Sequence, residues 1–285
     1  MKFGVLLLLA GPLALAACGS NSSSPAKPTA TAGAVATNST PTTDPRRTAV
    51  PTPAKPVSPA HVTGTAYDRG QTYMKVRNFP AALTQFGLSI RRNQRVADSY
   101  ANIGTANLDM GKPAAAYRAF KAAVSHNATN AAYLYYAAYS ALYNQDFRGA
   151  VSYATRFIGL QPKNPAGYHL RFLAYGKLLE RKNQVKDASA EVKLQPRSPE
   201  SYDDLGIALT NDGKFAPAVT AFSHAIHLRP ASLSYYTNRA MAENLNGQTN
   251  AVLRDLYTAR SLAKDSLTKK QIDEAIANFK KHLKQ

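Results

Sequence analysis

The chain has no tryptophan and a single cysteine, Cys18, in 285 residues. With one cysteine there is no intrachain disulfide to constrain the fold. Acidic residues are scarce: 17 Asp and Glu face 35 Lys and Arg, for a formal net charge of +18. No alternating apolar/polar pattern of useful length occurs, so a sheet architecture is not expected. The apolar run from Phe3 to Ala17 is interrupted by Gly11-Pro12 and is too short for a typical membrane span. Catalytic signatures are missing as well: there is no Gly-rich phosphate loop, no His-Glu-x-x-His and no Gly-x-Ser-x-Gly. His224 and His227 share one helix face, but no carboxylate or cysteine joins them in sequence. The adjacent Asp203 and Asp204 point in different directions on a helix and make no dyad. No enzyme, cofactor or metal site is expected.

Tyrosine is plentiful, with 16 residues, and 45% of the chain is hydrophobic, enough for a helical core with polar-edged aromatics. Pro162, Pro196 and Pro230 lie 34 residues apart, each closing a helix-like segment. A fixed period of this length indicates a stacked array of one supersecondary unit. Small residues recur in phase at Gly70, Gly104, Ala138, Gly206 and Ala240, where two helices would cross. Phe86, Phe120 and Phe222 would fill the space beside that crossing.

The segment 199–232 carries the signature most fully: Tyr202, Leu205 and Gly206, then Gly213 and Phe215, then Ala218, Phe222, Ala225 and Pro230. This resembles the tetratricopeptide repeat at nearly every slot. The resemblance implies an all-α, right-handed α-solenoid of about six helix pairs: 63–96, 97–130, 131–164, 165–198, 199–232 and 233–266. The fourth unit departs from the pattern, with Phe172, Gln184 and Glu191 where small residues are expected. A terminal segment, 267–285, is expected to form a capping helix over about 268–284, with Thr268 and Gln271 as its capping box. Its polar face carries Lys269, Lys270, Lys280, Lys281 and Lys284.

The first 17 residues read as an export signal. Its ending, Leu15-Ala16-Ala17-Cys18, resembles a bacterial lipobox, which implies lipidation of Cys18 and anchoring to a membrane. Gly19 after the cysteine implies the outer membrane in a Gram-negative cell, whereas a Gram-positive one would keep the protein on the outer face of the cytoplasmic membrane. Residues 18–62 join this anchor to the repeats. Pro, Thr, Ala and Ser supply 30 of the 44 residues from 19 to 62, a composition expected to stay disordered.

Charge is unevenly spread: +6 for 63–130, +6 for 131–198, −2 for 199–232 and +4 from 233 onward. Nucleic acid is not expected as a partner of an exported chain, whereas anionic lipid or glycan fits the basic early repeats. The tetratricopeptide resemblance also implies a concave groove lined by the first helix of each unit. Its positions map to Tyr135, Tyr139 and Tyr143, a stripe four residues apart, and to Tyr67, Gln71, Asn102, His169 and Asn238. The clamp that some family members use for acidic peptide tails is not matched. Its slots hold Tyr67, Gln71, Asn102, Ala132 and Tyr136, and only Asn102 agrees. The leading expectation is therefore a membrane-anchored adaptor of the cell envelope, pilotin-like or an assembly adaptor, holding a protein or peptide in the groove. The alternative is direct binding of anionic envelope polymer or lipid.

Overall fold

In the computed structural model of the protein, residues 63–283 are described. The signal, Cys18, the tether and Lys284 lie outside these residues. Among the described residues there are thirteen α-helices and no strand. Six helix pairs follow one another: α1 (Ala66–Lys75) with α2 (Phe79–Arg91), α3 (Val96–Asp109) with α4 (Pro113–His126), and α5 (Ala131–Tyr143) with α6 (Phe147–Leu160). Then come α7 (Pro165–Lys177) with α8 (Arg181–Leu194), α9 (Pro199–Asn211) with α10 (Phe215–Leu228), and α11 (Leu233–Leu245) with α12 (Thr249–Leu262). Helix α13 (Ser266–His282) ends the array. The fold is thus an α-solenoid of helix pairs with a terminal helix. The residues divide after Leu160 into two compact units, where the sequence suggested one uninterrupted array. None of the described helices is long and apolar enough to cross a membrane.

Local chemistry sets each boundary. Pro162, Pro196 and Pro230 fall two residues past the ends of α6, α8 and α10, where a missing N–H no longer breaks a helical bond. Asn78, Asn130, Asn164 and Ser198 cap their helices by accepting from backbone N–H groups two or three residues on. Within every pair the turn places one residue in the left-handed region, at Arg77, Gly111, Gln145, Leu179, Gly213 and Gly247, again 34 apart. The following N–H reaches back to close the helix: Glu180 donates to the Tyr175 carbonyl and Lys214 to that of Leu209.

In the first, second and fifth pairs, a glycine on the first helix meets a phenylalanine sixteen positions later. A Cβ added to Gly206 would come within 2.5 Å of the Phe222 ring, and Gly70 meets Phe86 at the same distance. The fourth pair inverts the sizes: Phe172 stands in the glycine slot, and Ala188 replaces the phenylalanine. Total volume is kept, which explains how an irregular sequence retains the same helix pair.

A second sixteen-residue relation is polar. Arg171 donates bidentately to Asp187 at 2.8 Å, and Arg239 donates likewise to Asp255. Arg69 donates to Gln85 in the first pair. These contacts bind the two helices of a pair with directional, charge-assisted bonds.

Helix α13 covers the last pair. Ile272, Ile276 and Phe279 join Val252 and Leu256 in one buried cluster. Its N-cap is Asp265, which accepts from Thr268 N–H at 2.8 Å, and this corrects the expected Thr268–Gln271 box. The Asp265 carboxylate lies one turn earlier and is free to cap, so the helix begins sooner.

Candidate functional site

A period of 34 sets equivalent positions of successive first helices side by side. A residue then reaches its neighbour's next position, 35 residues away, and four of the expected groove residues, Tyr67, Asn102, His169 and Asn238, take part in such contacts. In the first unit, the Tyr67 hydroxyl accepts from Gln71 Nε2 at 2.8 Å and from Asn102 Nδ2 at 3.3 Å. The Arg95 guanidinium lies 4.4 Å from the Tyr67 ring centre and also pairs with Asp98, which accepts from the Tyr133 hydroxyl. Burial followed by the Asp98 contact pushes the Tyr133 phenol well above its ordinary value. Tyr67, Gln71 and Asn102 are therefore one hydrogen-bonded set, with the Tyr67 ring itself buried.

The tyrosine stripe of α5 is graded. Tyr135 is buried, its ring 5.4 Å from Tyr136 and 5.7 Å from Phe157, and Tyr136 stacks on Phe120. Burial pushes the Tyr135 phenol up to about 12. Its expected exposure is corrected: Tyr135 belongs to the core. Tyr139 is half-buried and Tyr143 is 49% exposed, their rings 4.8 Å apart. The reason is helical geometry. Steps of four residues advance about 40° around the axis, so the stripe walks from core to surface.

In the second unit the ladder is charged. His169 of α7 meets Asp204 of α9 at 2.9 Å and Glu191 of α8 at 3.5 Å. Burial opposes the imidazolium, but the two carboxylates outweigh it and lift His169 to about 10. Burial raises Glu191 to about 7, against the pull of His169. Asp203 turns to the other side and accepts from Asn238 Nδ2 at 2.9 Å, both residues being buried. Burial raises Asp203 to about 7, the Asn238 bond working against that rise. The adjacent aspartates thus serve different neighbours, as their positions on the helix require.

His169, Glu191 and Asp204 bring three donor atoms within 4.8 Å of one another. The sequence reading placed His169 in the groove but missed its partners. Glu191 looked like a misfit in a small-residue slot, and Asp204 was weighed only against Asp203. A search for acid and histidine at 35-residue spacing would have found the pair. The exposed His224 stacks on Tyr202 at 5.1 Å and stays outside the cluster, as does the exposed His227.

Comparison with known proteins gives the repeat a family. Residues 97–130 match the tetratricopeptide repeat model. The small glutamine-rich tetratricopeptide repeat-containing protein 2 of Mycosarcoma maydis is 23% identical over 120 residues, which is 42% of this chain and 34% of that protein. This chain therefore matches about a third of that relative's length. Among solved structures, a tetratricopeptide repeat protein from Parabacteroides merdae aligns with a TM-score of 0.63 at 15% identity, covering 76% of this chain and 87% of that one. YrrB, described as a tetratricopeptide repeat protein with an unusual peptide-binding site, aligns with a TM-score of 0.56 at 16% identity, covering 66% and 97%. MamA aligns at 0.55 and 17% identity, covering 58% and 91%. Residues 97–130 are thus a tetratricopeptide repeat, and the helix pairs before and after them share its length, spacing and packing.

Proposed function

We propose that this chain is a non-catalytic adaptor that holds a protein or peptide segment along its first helices, tethered to an envelope membrane by a lipid on Cys18. The observation that carries the binding reading is the Tyr139–Tyr143 pair, a half-buried ring supporting an exposed one on a first helix. Rigid aromatic surfaces of this kind are usual anchors for a partner chain. The fold likeness to YrrB, described as having a peptide-binding site, supports the same use. The anchoring reading rests on Leu15-Ala16-Ala17-Cys18 at the end of the apolar run.

A photo-activatable residue at Tyr143 in the full chain, expressed in the native host, should give discrete protein adducts that Tyr139→Ala weakens. Adducts to lipid or glycan alone, or no adduct at all, would replace the adaptor reading with the polymer-binding one or remove both. Separately, Cys18→Ser should move the chain out of the membrane fraction or stall its processing. Normal cleavage with full membrane retention would reject the anchor.

A further inference from the structure

We propose that His169, Glu191 and Asp204 form a binding site for a divalent transition-metal cation of the zinc class. One nitrogen and two carboxylate oxygens, from three successive helices, converge within 4.8 Å. Around a tetrahedral zinc with bonds of about 2.0–2.2 Å, donor atoms lie about 3.3–3.6 Å apart. Two of the three separations, 2.9 Å from His169 Nδ1 to Asp204 Oδ2 and 3.5 Å to Glu191 Oε2, lie near that spacing, and the two carboxylate oxygens, within 4.8 Å of each other, would close on the ion. An imidazole nitrogen with two carboxylates is a donor set suited to zinc and its first-row neighbours.

A further observation points to a cation. Glu191 is 4% exposed, and its Oε1 has no hydrogen-bond partner. A buried carboxylate oxygen left this way is costly, and a metal ion would satisfy it.

The scaffold holds the donors in place. Each sits within a helix, α7 is fastened to α8 by Arg171 and Asp187, and the Phe172 ring stacks 6.0 Å from His169. Donors on packed helices are positioned more closely than donors on loops. The His169 side chain keeps 15% of its surface exposed, so the cluster is not sealed from solvent. Binding exchanges a proton for the metal: the ion bonds to Nδ1, and the proton leaves to solvent.

The test uses the untagged full chain, stripped with chelator, at pH 7.5. Calorimetric titration with Zn2+ should show one saturable equivalent. Glu191→Gln and His169→Gln should each weaken binding by at least about tenfold, while His224→Ala should leave it unchanged. Co2+ should give the visible absorption of a low-symmetry site, lost in the same two variants. Unchanged helicity by circular dichroism separates loss of ligand from loss of fold. No saturable binding below about 100 μM Zn2+, or full binding in helical Glu191→Gln, would overturn the proposal.

Discussion

Phe172 and Ala188 pack together in the fourth helix pair with their sizes reversed relative to Gly206 and Phe222 in the fifth. The two arrangements fill the same space from opposite sides. Phe172→Ala should therefore open a cavity and cost roughly 3–5 kcal/mol. Adding Ala188→Phe to that variant should recover part of the loss, because the ring would re-enter from α8. Urea unfolding of the single and double variants measures both steps, and a double variant weaker than the single would show that the swap is not symmetrical.

Leu179 is 73% exposed and holds φ at 58°, a conformation that costs a side chain roughly 1–2 kcal/mol. Gly213 serves the same turn one repeat later without that penalty. Leu179→Gly should accordingly raise stability by about 1 kcal/mol, after allowing for the greater freedom of glycine in the unfolded chain. Gly213→Leu should lower it. Thermal melts of the two variants should move in opposite directions.

Stability should decline as pH rises from about 5 to 9. Burial holds the Asp203 carboxyl at about 7, well above an ordinary aspartate at about 3.9, so between those values the folded chain keeps a proton that the unfolded chain has lost. Glu191 and Glu243, each lifted to about 7 by burial, act in the same direction. His169, lifted to about 10, adds stability that is complete below about 6.5 and lost as pH climbs through 10. Asp68, Asp146, Asp265 and Asp273 are shifted downward by their hydrogen bonds, so their contributions fade only in acid. Asp203→Asn keeps an acceptor for Asn238 and removes the buried charge. At pH 8 it should gain on the order of 2–4 kcal/mol over the parent, with little difference at pH 4. A parent whose urea midpoint increases from pH 5 to pH 8 would contradict this account.

The repeat register was legible because backbone constraints mark it: proline past a helix end, glycine where a ring approaches. Gly111, Gly213 and Gly247 announced their turns, whereas Arg77, Gln145 and Leu179 occupy the same left-handed position without any compositional sign. The size swap at Phe172 hid for a similar reason, since each half looks like an error until its partner sixteen residues away is considered. His169, Glu191 and Asp204 come from three helices, and only stacking of those helices brings them together. The fate of Tyr135 turned on a 40° advance per step, which spacing alone does not convert into burial without knowing where the core lies.

The 35-residue hydrogen bonds also bear on how such a chain keeps its copies in order. Tyr67 is matched to Asn102, His169 to Asp204 and Asp203 to Asn238, so these three junctions each carry a different chemical pair. Excision of 199–232 by unequal recombination would keep the 34-residue phase and all helix-forming signals. It would nevertheless set Asn238 where His169 now meets Asp204. The imidazolium would then face an amide, and Glu191 would be its remaining acid. A repetitive protein whose seams differ in this way resists both the shuffling of its gene and the slippage of its helices during folding.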